Sequence, residues 1–137
     1  MRLYKRGLMD NQTDHKYELK TLKDRLEEVN RIALLGIWEF NTKSQTLVWS
    51  DIIYQIFEYE KREPLNLQVY KQFVIHQKDM DKLTELSKNA ISMGIDFDYV
   101  CEIKTTKNQV KWIKVVCKPE IKNGVCHRLY GFIQDIS

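Results

Sequence analysis

The 137-residue chain has little of what staples or interrupts a fold: three cysteines, two prolines and five glycines. The cysteine count is odd, and no Cys-x-x-Cys or Cys/His spacing points to a disulfide framework or a bound metal. Cys101, Cys117 and Cys126 fall in strand-like contexts and read as reduced, buried thiols of a cytoplasmic protein, with redox chemistry left to Cys126 only if it is exposed. No apolar run approaches the ~18 residues of a membrane span, so no membrane insertion is expected. Arg2, Lys5 and Arg6 sit in too polar a context for a signal peptide. Lys and Arg number 22 against 19 acids, a net charge of +3 without clustering, which argues against nucleic acid as a partner. What remains is 43% hydrophobic and 11% aromatic residues, enough for one domain with its own core.

Three stretches follow from periodicity. Residues 1–13 are polar and expected to be loosely ordered. Residues 14–35 read as an amphipathic flanking helix, since Leu19, Leu22, Leu26, Val29 and Ala33 recur at spacings of three and four. This is a coiled-coil seam with Glu18 and Lys23 at its charged edges, and it spans only about two heptads. A helix that short is marginal alone, so the seam packs on a twin in a homodimer or on its own domain. Residues 36–137 form the third stretch. Gly36 is expected to end the helix, and Ile37–Phe40 and Thr46–Trp49 read as a hairpin. Ser50 is placed to cap a short helix beginning Asp51-Ile52-Ile53, and Leu67–Phe73 forms another. A longer helix runs from about Lys78 to Met93, with Asp79 and Asp81 in its first turn and Gly94 at its C-cap. Three long strands follow, over Phe97–Lys104, Gln109–Pro119 and Val125–Ile136. The last two join at Asn123-Gly124, a strong hairpin signal. Strands joined by hairpins with helices between them give an α+β class, with a five-stranded antiparallel sheet covered by helices on one face.

These residues resemble a PAS domain of the bacterial sensor type. "GIWEFNTKSQTLVWSDIIYQIFEYEKREP" is similar to the opening hairpin and helix of that family. "FVIHQKDMDKL" resembles its His-Pro-x-Asp segment, and "FDYVCEIKTTKNQVKWIKVV" its paired strands with a Trp in the second. "GVCHRLYGFIQDIS" resembles its last strand, which ends Asp-Ile-Thr. The likeness covers residues 36–137. It departs at Gln77, where the family has Pro, and at Cys101, where it has an Arg that makes an ion pair. It departs again at Lys107-Asn108 in place of Asp-Gly.

The resemblance implies a cytoplasmic sensory and dimerisation module of a signal-transduction protein, without catalysis of its own. Such a module passes a ligand- or partner-induced change to an output domain, a histidine kinase or a cyclic-dinucleotide enzyme. Asp135 matches the motif that joins sensor to output, which implies that the chain is a fragment. Phe57, Phe73, Tyr99, Cys101, Ile103, Ile113 and Val115 are the candidate lining of a small-molecule pocket, on strand alternation. The ligand is open. Haem is disfavoured because the long helix carries no His after its start. A flavin adduct is disfavoured because the light-sensing Gly-x-Asn-Cys-Arg-Phe-Leu-Gln segment is absent. Two rivals stand beside this reading: a ligand-free dimerisation scaffold, and a small enzyme using His76 and Asp79. The alternating Trp112, Lys114, Val116 and Lys118 mark a sheet face that a helix or a second subunit would cover.

Overall fold

The computed structural model describes residues 2–62 and 65–137, with side chains from Asp14 onward. The chain forms two compact units, Met1–Ile32 and Ala33–Ser137. The first is one helix, α1 (Arg2–Ile32). Residues 2–13, expected from sequence to be a loosely ordered polar segment ahead of a helix starting at Asp14, lie within this helix. On the described part, Leu19, Leu22, Leu26 and Val29 are exposed. The helix stops at Ile32, three residues short of the expected 35, so Ala33 lies beyond it and cannot extend the seam as a helical position. Leu34, not Gly36, makes the break: it takes the left-handed conformation at φ 54°.

Gly36 is instead a residue of β1 (Leu35–Asn41), and it is needed for space. A Cβ there would lie 2.3 Å from Ile53 Cγ1 and 2.8 Å from the Ile53 backbone nitrogen. α2 (Asp51–Phe57) is thereby packed directly on the strand. Ser50 occupies the N-cap position of α2 but makes no capping bond; its Oγ accepts from the Ile37 N–H at 2.9 Å instead. A residue chosen by sequence as a helix cap is used here as a strap from helix to strand.

β1 pairs with β2 (Thr46–Trp49), and the sheet is completed by β3 (Phe97–Lys104), β4 (Val110–Lys122) and β5 (Val125–Asp135). All pairings are antiparallel, in the order β2-β1-β5-β4-β3. Asn123 (φ 51°) and Gly124 (φ 75°) make the β4–β5 turn, both left-handed as a tight hairpin demands. β4 runs through Pro119, further than a strand interior would allow. The pairing with β3 ends at Cys117, so the side of Pro119 that lacks a neighbour is also the side that lacks an N–H.

Between α2 and α3 (Gln77–Met93) lies a 3₁₀ helix, Leu67–Gln72, capped by Asn66, whose side chain accepts from the Gln68 N–H. α3 begins one residue earlier than expected, which leaves Asp79 in its first turn and moves Asp81 out of it. Gly94 (φ 66°) caps α3, its N–H donating to Ala90 O. The connecting segment also touches both edges of the sheet, through single bridges Leu47–Leu65 at β2 and Val74–Ile103 at β3.

The core lies on the inner sheet face. Phe40, Ile53, Phe57, Ile103 and Leu129 are at most 2% exposed, each stabilising by about 1.5–3 kcal/mol relative to an exposed side chain. One row of this face crosses the whole sheet as Trp49, Trp38, Gly131, Cys117 and Phe97. The next contains Ile133, Val115 and Tyr99, and the next Asp135, Ile113 and Cys101. The outer face carries Ile37, Phe132 and Val116 in one row, with Trp112 and Val100 exposed nearby.

Candidate functional site

A cavity of about 80 Å³ lies between the inner sheet face and the helices. Trp38, Leu47 and Trp49 line it from the first hairpin. Ile103, Ile113, Val115, Leu129 and Ile133 line it from the other three strands. Phe57, Leu67, Val69, Leu83 and Ser87 close it from the helical side. Of the residues chosen by alternation, Phe57, Ile103, Ile113 and Val115 meet around the space. Phe73, Tyr99 and Cys101 lie outside that lining. Phe73 packs tilted against Phe57 at 4.6 Å between ring centres and belongs to an aromatic cluster with Trp49 and Tyr59. Cys101 is buried among side chains. Alternation identifies a face correctly but cannot tell which members of that face border a void, since that depends on what the helices place opposite.

Trp38 carries the feature that sequence reasoning missed. It is 7% exposed, and its indole N–H is the one buried side-chain polar atom among the described residues without a hydrogen-bond partner. Leaving such a donor unpaired costs about 1–3 kcal/mol. Trp38 faces Gly131 across the ladder, so no β5 side chain stands directly opposite it. Gly131 cannot be larger: a Cβ would lie 1.8 Å from Val116 O.

The polar groups near the cavity are otherwise occupied. The Tyr70 hydroxyl donates to Thr84 Oγ1 at 2.7 Å, because the Thr84 proton goes to Met80 O. Tyr99 donates to Asp79 Oδ1 at 2.6 Å, tying β3 to the start of α3. That bond, reinforced by burial, pushes the Tyr99 phenol up to about 12. His76 turns to Glu102 at 3.3 Å on the exposed side, away from Asp79. The pair imagined for an enzyme is thus divided between two other partners, and neither residue lines the cavity.

The thiols are quiet. Burial pushes Cys101 up to about 11 and Cys117 up to about 12, and it raises Cys126 as well. Cys126 is only 7% exposed, which removes the condition for its redox role. Among the described residues no group of three or more His, Cys, Asp or Glu could hold a metal ion. No helix of the described residues is long and apolar enough to cross a membrane.

Asp135 ends β5 at a junction. Its N–H donates to Leu34 O at 3.0 Å, and Gln134 Nε2 donates to Ala33 O at 3.2 Å, so the start and the end of the unit are bonded together. The Asp135 carboxylate accepts from the Ser137 N–H and lies 3.8 Å from Lys111 Nζ, which also donates to Ile56 O of α2. Lys111 is thus the cation that meets this carboxylate.

No family model matches the chain, and no curated protein matches its sequence. Solved structures do match its fold. A sensory box histidine kinase/response regulator from Burkholderia thailandensis E264 aligns with a TM-score of 0.66 at 20% identity, covering 82% of this chain and 84% of that one. The N-terminal domain of a diguanylate cyclase with PAS/PAC sensor from Marinobacter aquaeolei aligns at 0.67 and 16% identity, covering 75% and 95%. The PAS domain of a Colwellia psychrerythraea protein aligns at 0.59 and 16%, covering 85% and 97%. Identities this low speak to architecture, and the strand order, the helices on one face and the leading helix agree with it: the chain has the fold of the PAS domains of bacterial signalling proteins.

Proposed function

We propose that the chain is a cytoplasmic sensory and dimerisation module of a bacterial signal-transduction protein, without catalysis of its own. It passes a change in its core to an output domain, a histidine kinase or a cyclic-dinucleotide enzyme. The observation that carries this reading is the junction at Asp135. The last strand residue is bonded to Leu34, two residues past α1, and through Lys111 to α2, whose Phe57 borders the cavity. Repacking around the cavity therefore has a continuous bonded route to both ends of the unit. Signalling requires that an occupant contact two states differently, and the route supplies a place for that difference to appear. The exposed Leu19, Leu22, Leu26 and Val29 support pairing of α1 with a second copy, and Trp112 and Ile37 on the outer sheet face offer further apolar surface.

Hydrogen exchange tests the route. A Ser87→Leu substitution fills the cavity from α3. The sensor reading expects altered protection of the Asp135 and Ile136 amides in that variant. A ligand-free scaffold expects protection there to stay as in the parent. Native mass spectrometry of the same sample expects a dimer, and Leu22→Glu is expected to leave monomers; a dimer that survives Leu22→Glu rules out the helical seam as its basis.

A further inference from the structure

The lining of the cavity restricts what it can hold. Among the described residues it contains no Asp, Glu, Lys, Arg or His. An ion placed there would lose its hydration with no opposite charge to replace it. The lining also lacks Asn and Gln to read the polar edge of a heterocycle, and Cys and Met to ligate a metal centre.

Trp38, Tyr70 and Ser87 are the lining side chains that carry a polar atom, and only Ser87 is available to an occupant. The Trp38 N–H is buried with essentially no accessible surface, so an occupant does not reach it. The Tyr70 hydroxyl is engaged with Thr84 at 2.7 Å. Ser and Thr hydroxyls on a helix can turn back to the carbonyl four residues earlier. On α3, Thr84 and Ser92 do so, at 2.9 Å to Met80 O and 2.8 Å to Lys88 O. The Ser87 hydroxyl borders the cavity and makes no hydrogen bond to any described residue. The cavity also opens to solvent on one side, so an occupant can enter without unfolding the core and can extend past the enclosed space.

We propose that the cavity binds an uncharged, predominantly apolar small molecule carrying one hydrogen-bonding group, and that this group meets the Ser87 hydroxyl. Burial of apolar surface supplies the affinity, and Ser87 fixes the orientation. This rests on the reading of the cavity as the sensing site.

The test uses the full chain and four probes built on one ring: cyclopentanol, cyclopentane, cyclopentylammonium and cyclopentanecarboxylate. The charged groups are attached directly to the ring, so burying the ring draws the charge against the apolar walls. Binding is followed by the isoleucine methyl resonances in ¹H–¹³C correlation spectra. Ile103, Ile113 and Ile133 line the cavity, and the exposed Ile37 and Ile121 do not. Cyclopentanol and cyclopentane are expected to shift the first three saturably and to leave the last two in place. The two ions are expected to bind about tenfold more weakly or worse. Ser87→Ala keeps a strong helix former on α3. It is expected to weaken cyclopentanol by about threefold to tenfold, as for one lost hydrogen bond, and to leave cyclopentane unchanged. The proposal is overturned if neither neutral probe shifts the three methyls, if either ion binds as tightly as cyclopentanol, or if Ser87→Ala weakens cyclopentanol no more than cyclopentane. Neutral-probe binding that leaves the Asp135 and Ile136 amides unchanged upholds the ligand class and sinks the sensor reading. Altered exchange in Ser87→Leu without probe binding does the reverse.

Discussion

Trp38 and Trp49 are cross-strand neighbours on the same face of the same sheet, yet their surroundings differ in kind. Trp49 stacks on Phe57 at 5.1 Å and meets Tyr54, Tyr59 and Phe73 within 6.4 Å, so ring packs on ring. Trp38 looks across at a glycine and keeps an unpaired N–H, although both rings border the same cavity. Close packing is the ordinary state of a protein interior, and the aromatic side of this core has it. At Trp38 the unpaired donor gives up some of that stability. One face of one sheet thus combines a rigid, ring-packed half with a half that leaves a donor unmatched.

The largest expected effect breaks the rigid half. Phe73→Ala removes a side chain that is 2% exposed and holds Phe57, Trp49 and Tyr59. It should cost about 3–5 kcal/mol in denaturant unfolding. The next sharpens the contrast directly. Trp49→Phe loses volume and ring contacts together and should cost about 2 kcal/mol or more. Trp38→Phe loses comparable volume but also removes an unsatisfied donor, so its cost should be about 1 kcal/mol or less. Equal costs for the two would mean that the Trp38 N–H is satisfied in solution. The smallest effect is on pH dependence. Tyr99 sits in the row next to Trp38, and its ionisation is raised from 10.0 to about 12, chiefly by its bond to Asp79. Because the folded value is the higher one, the contribution is complete below pH 10 and is lost as pH climbs through about 12. The parent should therefore lose stability across that window more steeply than Tyr99→Phe, as read from unfolding curves at matched pH.

Local chemistry made the frame of the molecule legible. Asn123-Gly124 and Gly94 need left-handed backbone and have it, and apolar alternation put Tyr99, Cys101 and Ile103 on the helix-facing side of their strand. The misreadings share a cause. Gly36 suggested a helix stop when its smallness serves Ile53, 17 residues away in sequence and adjacent in space. Ser50 suggested a cap when its hydroxyl was already committed to Ile37. Ala33 continued a heptad that the backbone abandons at Leu34. The cavity and the lone indole donor were harder still. A void is the absence of an atom from another element, and an unpaired N–H is the absence of an acceptor, and neither leaves a mark on local sequence.

The two bridges that link the segment between α2 and α3 to the sheet have a bearing on how copies of this chain can meet. An open sheet normally presents two ladders of unused backbone groups, and those ladders are where chains stack into fibrils. Here Leu65 occupies β2 at Leu47, exchanging both backbone hydrogen bonds at 3.0 and 3.1 Å. At the opposite edge Phe73 O takes the Lys104 N–H at 2.8 Å and Val74 bridges Ile103. One stretch of chain thus occupies both margins, β2 at Leu47 and the C-terminal end of β3 from Glu102 to Lys104. An incoming strand would have to displace that segment at each of these points, which raises the cost of sideways polymerisation relative to contacts made through side chains.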